Sequence, residues 1–142
     1  MVATSGLRVA DTSAWHAARN PSVIPAWERA LRDSTVAICS QVELEILFSA
    51  QSESDYVGLA QDLATLPHVP CGEEAFWRAL EVQQLLAHSG ALHHRSVKIA
   101  DLIIAAAAEH AGRSVWHYDE DFDRIARLTG QATEWIAPRG SL

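Results

Sequence analysis

The sequence predicts an α/β protein, a three-layer α/β/α sandwich built on a central, mainly parallel sheet. Three observations carry this. Short runs of small and β-branched apolar residues alternate with longer stretches of helical periodicity, the pattern of a sheet covered on both faces. Two of those runs, "LRVAD" at residues 7 to 11 and "SVWHYD" at residues 114 to 119, end in an acid. Between them lies "KIADLIIAAAAEHAG", so apolar that such a helix has to be buried on most of its sides.

Taken in order, "LRVAD" reads as a first strand and Asp11 as the cap of a helix starting near Ala14. "STVAICS" (34 to 40) is a second strand. Helical periodicity follows in "QVELEILFSA", in "SDYVGLAQDLATL" and in "EEAFWRALEVQQLLAHSG", the last stopping at Gly90. Pro67 and Pro70 punctuate the link between the latter two. The Ala-rich helix comes next, with Gly112 as its C′ stop, then the strand "SVWHY". A helix from about Asp121 to Leu128 and a short strand near "ATEWI" close the pattern. Residues 1 to 142 read as a single domain, because no internal repeat, low-complexity tract or long linker divides them.

Composition narrows the function classes. Hydrophobic residues make up 49% and charged residues 20%, which suits a folded, soluble domain rather than a disordered chain. The segment Met1 to Ala10 has only Arg8 as a charge and no apolar core, so it resembles no targeting peptide, and Leu102 to Ala108 is too short to span a bilayer. A cytoplasmic protein with no membrane contact is expected. Cys39 and Cys71 form no paired motif, and a structural disulfide is not expected. The formal charge of -7 argues against binding nucleic acid through a wide basic surface. A nuclease remains open, since a divalent cation over gathered acids reverses the field that a phosphate meets.

The acids are the candidate functional residues. Strand ends are where open parallel sheets bind ligands, and Asp11 and Asp119 both stand at such ends. Each has a structural alternative as a helix cap, Asp119 leading a first turn that holds Glu120 and Asp121. In the helix after the second strand, Ser40 and Glu43 match a capping box, which leaves Glu45 as the freer carboxylate on the side shared with Gln41 and Ser49. Asp101 lies near the start of the most hydrophobic helix, where an uncompensated carboxylate is costly. Four carboxylates in one cleft cannot all ionise without a counter-charge. Hard oxygen ligands suit Mg2+ or Mn2+, either of which stabilises charge developing in attack on a phosphodiester.

Four blocks, "VADTSAW", "ELEILFSA", "VKIADLIIAAAAEHAG" and "VWHYDEDFDRIA", in this order and spacing, resemble the PIN-domain ribonucleases and, among them, the VapC-type toxins of bacterial toxin-antitoxin pairs. The resemblance runs over nearly the whole chain. It implies a PIN-like sandwich in which Asp11, Glu45, Asp101 and Asp119 are the catalytic acids and bind Mg2+ or Mn2+, with Asp121 as an additional metal ligand. It implies Thr12 and Ser13 as hydroxyls supporting the first acid. His117 and Tyr118 depart from the family's usual small polar residues before the fourth acid. The implied activity is endonucleolytic cleavage of a structured RNA such as a tRNA or rRNA, which inhibits translation. The implied partners are a VapB-like antitoxin and a second copy of the chain in a homodimer, with DNA recognition left to the antitoxin.

Other residues carry less. Arg95 and Lys98 precede Asp101 and are candidates to hold RNA phosphates outside the metal shell. His93 and His94 lack a matching ligand set for zinc. The five tryptophans read as core or dimer packing, with Trp15 a candidate to stack on a base because it follows Asp11. The rival from another class is a non-catalytic PIN-like or receiver-like protein-binding module whose acids are helix caps. Receiver domains carry an acid pair after the first strand, and here Thr12 follows Asp11. Ser13 likewise stands where a haloacid-dehalogenase phosphatase has its second acid.

Overall fold

The computed structural model describes residues 6–142; Met1–Ser5, part of the stretch read for a targeting signal, lie outside the described residues. Strands β1 (Arg8–Ala10), β2 (Val36–Ala37), β3 (Ser114–His117) and β4 (Thr133–Trp135) form one sheet in the order β2-β1-β3-β4. Every pairing is parallel. Arg8 lies opposite both Val36 and Ser114, and Val115 lies opposite Thr133.

Successive side chains of a strand point to opposite faces, and here that alternation divides the core in two. Val9, Ala37 and Val115 face the larger layer, built by α3 (Ser40–Phe48), α4 (Glu53–Ala64), α5 (Glu73–His88), α6 (Ile99–His110) and α7 (Asp121–Thr129). Ala10, Val36 and Trp116 face the smaller one, built by α1 (Thr12–Ala17) and α2 (Ile24–Arg32). The three-layer sandwich expected from the alternation of strands and helices is therefore the observed architecture.

Helix α6 is the spine of the larger layer. Every residue from Asp101 to Ala108 is buried, and Gly112, at φ +70°, turns the chain back toward β3. Small side chains let the neighbouring elements approach closely, and Ala105 accepts a hydrogen bond on its carbonyl from Gln131 Nε2 at 2.6 Å.

Helix α2 was not expected from the sequence. Pro25 in its first turn pre-sets the backbone there, and Trp27 and Ala30, three apart, make its buried stripe. Trp27 stacks on Trp116 at 5.6 Å and meets Trp15 edge-on at 5.8 Å, so the Trp15 ring takes part in packing α1 against α2. Trp77 departs from the expectation of core packing and is exposed. The expected capping box of α3 does not form either. Cys39 holds the N-cap position without a side-chain bond, Ser40 is already helical, and Glu43 instead meets His68 Nε2 at 3.3 Å.

Ile104 is fully buried on α6 and tests the importance of that spine. Ile104→Ala should lower unfolding stability by about 2–5 kcal/mol, the usual cost of a large-to-small change in a packed core. Chemical denaturation of the metal-free chain measures it; a loss under about 1 kcal/mol would mean the layer closes around the cavity.

Candidate active site

The chain leaves β1 toward β2 on one side of the sheet, while β3 lies on the other, so the carboxyl ends of β1 and β3 flank the switch point of the fold. Asp11 follows β1 directly, and its amide donates to Trp116 O at 3.1 Å, extending the pairing by one residue. Its carboxylate is then tied down twice: Ala14 N–H donates to Oδ1 at 2.9 Å, as a helix cap, and Ser13 Oγ donates to Oδ1 at 2.7 Å. Ser13 also accepts from the Tyr118 amide at 2.8 Å, so one hydroxyl connects the two strand ends.

The expected support by Thr12 takes a different form. Its hydroxyl donates to Glu45 Oε1 rather than to Asp11. This bond ties α3 to the first residue of α1, the one that follows Asp11 in the chain.

Asp101, Asp119 and Asp121 each offer a carboxylate oxygen within 4.8 Å of the others. They arrive from three directions: the first turn of α6, the loop after β3 and the start of α7. Asp119 is shaped by local bonds. Its Oδ1 accepts from Asp121 N–H at 2.9 Å, and its own amide donates to His117 Nδ1 at 3.2 Å. His117, one of the two departures from the family pattern, is thus a buried acceptor that fixes the loop. Burial holds its ring neutral, pushing its pKa down to about 4. Tyr118, the other departure, uses its amide for Ser13 and its hydroxyl to accept from Leu142 N–H at 2.9 Å.

The electrostatics are those of crowded acids. Burial pushes the Asp11 carboxyl up to about 6, against the hydrogen bonds from Ser13 and Ala14, and the charge of Asp119 adds to the rise. Burial likewise pushes Asp101 up to about 8, aided by a hydrogen bond shared with Asp121 and by the charges of Asp11 and Asp119. Asp121 moves down, because bonds from Asp101 and Lys98 outweigh its own burial. Arg124 completes the balance, with Nη1 on Asp121 Oδ1 at 2.8 Å and Nη2 on Glu120 at 2.7 Å.

Lys98 does not stand outside the acids as expected. Its Nζ lies 2.8 Å from Asp119, 3.0 Å from Asp121 and 3.3 Å from Asp101. Arg95 is exposed on the short turn His93–Arg95 before it. The sequence reading also missed Arg124, although Glu120, Asp121 and Arg124 have the spacing of neighbours on one helical face.

The donor set fits a hard divalent cation. It is all carboxylate oxygen, and Asp101 Oδ2 is buried with no hydrogen-bond partner, its contact with Lys98 being an ion pair without hydrogen-bond geometry. Asp11 is coupled to this trio through its charge, and Glu45 joins through Thr12.

The sequence model of the PIN domain matches residues 8–128, a span that contains every one of these acids. The chain belongs to the PIN-domain family. Among PIN proteins, ribonuclease VapC18 of Mycobacterium tuberculosis is 58% identical over 132 residues, 93% of this chain and 96% of that protein. Ribonuclease VapC21 of the same organism is 41% identical over 92% of this chain and 94% of that protein. A crystal structure of VapBC-5, a member of the VapBC toxin-antitoxin family from Mycobacterium tuberculosis, superposes with a TM-score of 0.61 at 26% identity, covering 92% of this chain and 98% of that one. This PIN domain is therefore of the VapC type along almost its full length.

The shift at Asp101 has a stability consequence. Folding favours the protonated carboxyl, so the wild type loses stability as pH rises from 3.8 toward about 8 and the group ionises against its neighbours. With chelator present, the melting-temperature difference between Asp101→Asn and wild type should grow in favour of Asn across that window and level off above it. A difference independent of pH would contradict the assigned environment.

Proposed function

We propose that this PIN domain is a metal-dependent endoribonuclease toxin, one domain spanning the 142 residues, which cuts a structured RNA such as a tRNA or rRNA in the cytoplasm and is neutralised by a VapB-like antitoxin. The observation that carries this is the convergence of the Asp101, Asp119 and Asp121 carboxylates, among which the buried Oδ2 of Asp101 has an ion pair with Lys98 but no hydrogen bond. Caps account for Asp11 and Asp119, which serve the amides of Ala14 and Asp121, and they would satisfy the rival reading of a binding module. Asp101 caps nothing. A cation explains it, and the likeness to proteins named ribonuclease VapC supports the same reaction.

In this reading Asp101, Asp119 and Asp121 hold Mg2+ or Mn2+, and Asp11 and Glu45 complete the acidic surround. When bound, the ion supplies positive charge to the phosphodiester and acidifies water for in-line attack. The chain's own part is placement. Ser13 pins Asp11 to the end of β3, Thr12 orients Glu45, and His117 fixes the Asp119 loop.

The antitoxin reading is supported by apolar side chains left uncovered. Phe48 is 92% exposed beside Leu44 on α3, and Phe76, Leu80 and Ile99 border a groove of about 220 Å³ between α5 and α6. Such faces suit protein partners, an antitoxin and a second copy in a homodimer. No described helix is long and apolar enough to cross a membrane. A basic antitoxin side chain would find its complement in the acids.

Purified chain freed of antitoxin should cut total cellular RNA at one or a few sites with Mg2+ or Mn2+, and not with chelator. Asp101→Asn should reduce cleavage by at least about a hundredfold, the scale of removing a key electrostatic group. Sequencing of the new RNA ends checks both. Equal cleavage by the Asn variant, or none by a folded wild type, would favour the binding module.

A further inference from the structure

Lys98 is the only lysine in the chain; the rest of its eleven Lys and Arg residues are arginines. It precedes α6 with an extended backbone, at φ -63° and ψ 142°, and its side chain is 64% exposed. The stem thus approaches the acids from solvent while the ammonium rests on the three oxygens Asp101 Oδ2, Asp119 Oδ2 and Asp121 Oδ2. The backbone amide of the same residue donates to Asp121 Oδ2 at 3.1 Å. That second bond anchors the residue through its backbone, independently of where the ammonium sits.

The residue type matters. An ammonium is a compact, strongly hydrated point charge on a flexible stem, whereas a guanidinium locks onto carboxylates in a planar fork. Every other strong base of the chain is of the forked kind, and Arg124 uses its fork on Glu120 and Asp121 from the far side of the cluster. Only at the proposed metal position does the chain place the cation that is easier to dislodge. An ammonium resting on these three oxygens and a divalent ion drawn to the same carboxylates repel each other at the few ångströms that would separate them, so each opposes the other's binding.

We propose that Lys98 is a tethered competitor for the metal: it holds Asp101, Asp119 and Asp121 together while the divalent ion is absent and swings away when the ion binds. This rests on reading the acids as a metal centre. Lys98 is a positioning residue here. Its effect is to set the metal concentration at which the site fills, so that the domain stays inactive below that level and its acids do not splay.

Two measurements test it without RNA. Isothermal titration with Mn2+ compares wild type, Lys98→Met and Lys98→Arg. The Met variant should melt lower than wild type in chelator and bind Mn2+ roughly tenfold tighter, and the Arg variant should bind no tighter than wild type. Mn2+ affinity unchanged in a folded Met variant overturns the proposal. Should the Met variant fail to fold without metal, reductive 13C-methylation of the wild type decides, since a single lysine gives a single side-chain resonance. That resonance should shift and sharpen on addition of Mg2+; one unmoved at saturation overturns the proposal. No Mn2+ uptake by wild type at all would instead refute the metal centre itself.

Discussion

Like charges brought into one buried place have to be compensated, and most of the local structure around the sheet ends answers that requirement. Asp11, Asp101, Asp119 and Asp121 converge where β1 and β3 finish. Each is restrained by groups of the same chain: a hydroxyl and an amide on Asp11, an ion pair with Lys98 on Asp101, amides and the same ammonium on Asp119 and Asp121, a guanidinium on Asp121. The acids are thus held by groups of this chain, and one oxygen, Asp101 Oδ2, has an ion pair but no hydrogen bond. A cation site needs both properties, because a site that collapses when empty cannot refill and one that is fully satisfied has no reason to.

The scaffold supplies the geometry at little local cost. Strands of two to four residues are enough to set register, since the two flanking layers bury Val9, Ala37 and Val115 on one side and Ala10, Val36 and Trp116 on the other. Helix α6 contributes both to the core and to the site. Its apolar sides fix its axis, and its first turn carries Asp101 to the cleft, where the helix dipole adds a favourable field.

Much of this was legible in the sequence because periodicity reports burial. The four strands, the parallel sheet and the placement of Asp11 and Asp119 at strand ends all follow from which residues must be covered. Glu45 stood out as the freer carboxylate of its helix and Asp101 as a costly acid in an apolar one, and the four-block pattern added Asp121. What escaped was decided by side-chain reach. Lys98 was read as a phosphate contact because its sequence neighbours are basic, yet its stem is long enough to cross to acids more than twenty positions away. The Ser40 and Glu43 spacing matched a capping box, but the helix began one residue early and the two side chains lost their register. Helix α2 was missed because its apolar stripe is narrow and a proline stands at its start, where proline is in fact well placed.

The pairing of Arg8 with Ser114, near one end of the chain and near the other, has a consequence for how the protein is made. Synthesis delivers β1 long before its neighbour β3, and with it Asp119 and Asp121. Contacts this distant in sequence form late, since the intervening loop has to be closed before they repay it. The acids therefore meet only once β3 has been made and has paired with β1. For a domain proposed to attack the RNA of its own cell, that order keeps the acids apart while the segment between the two strands is still being built.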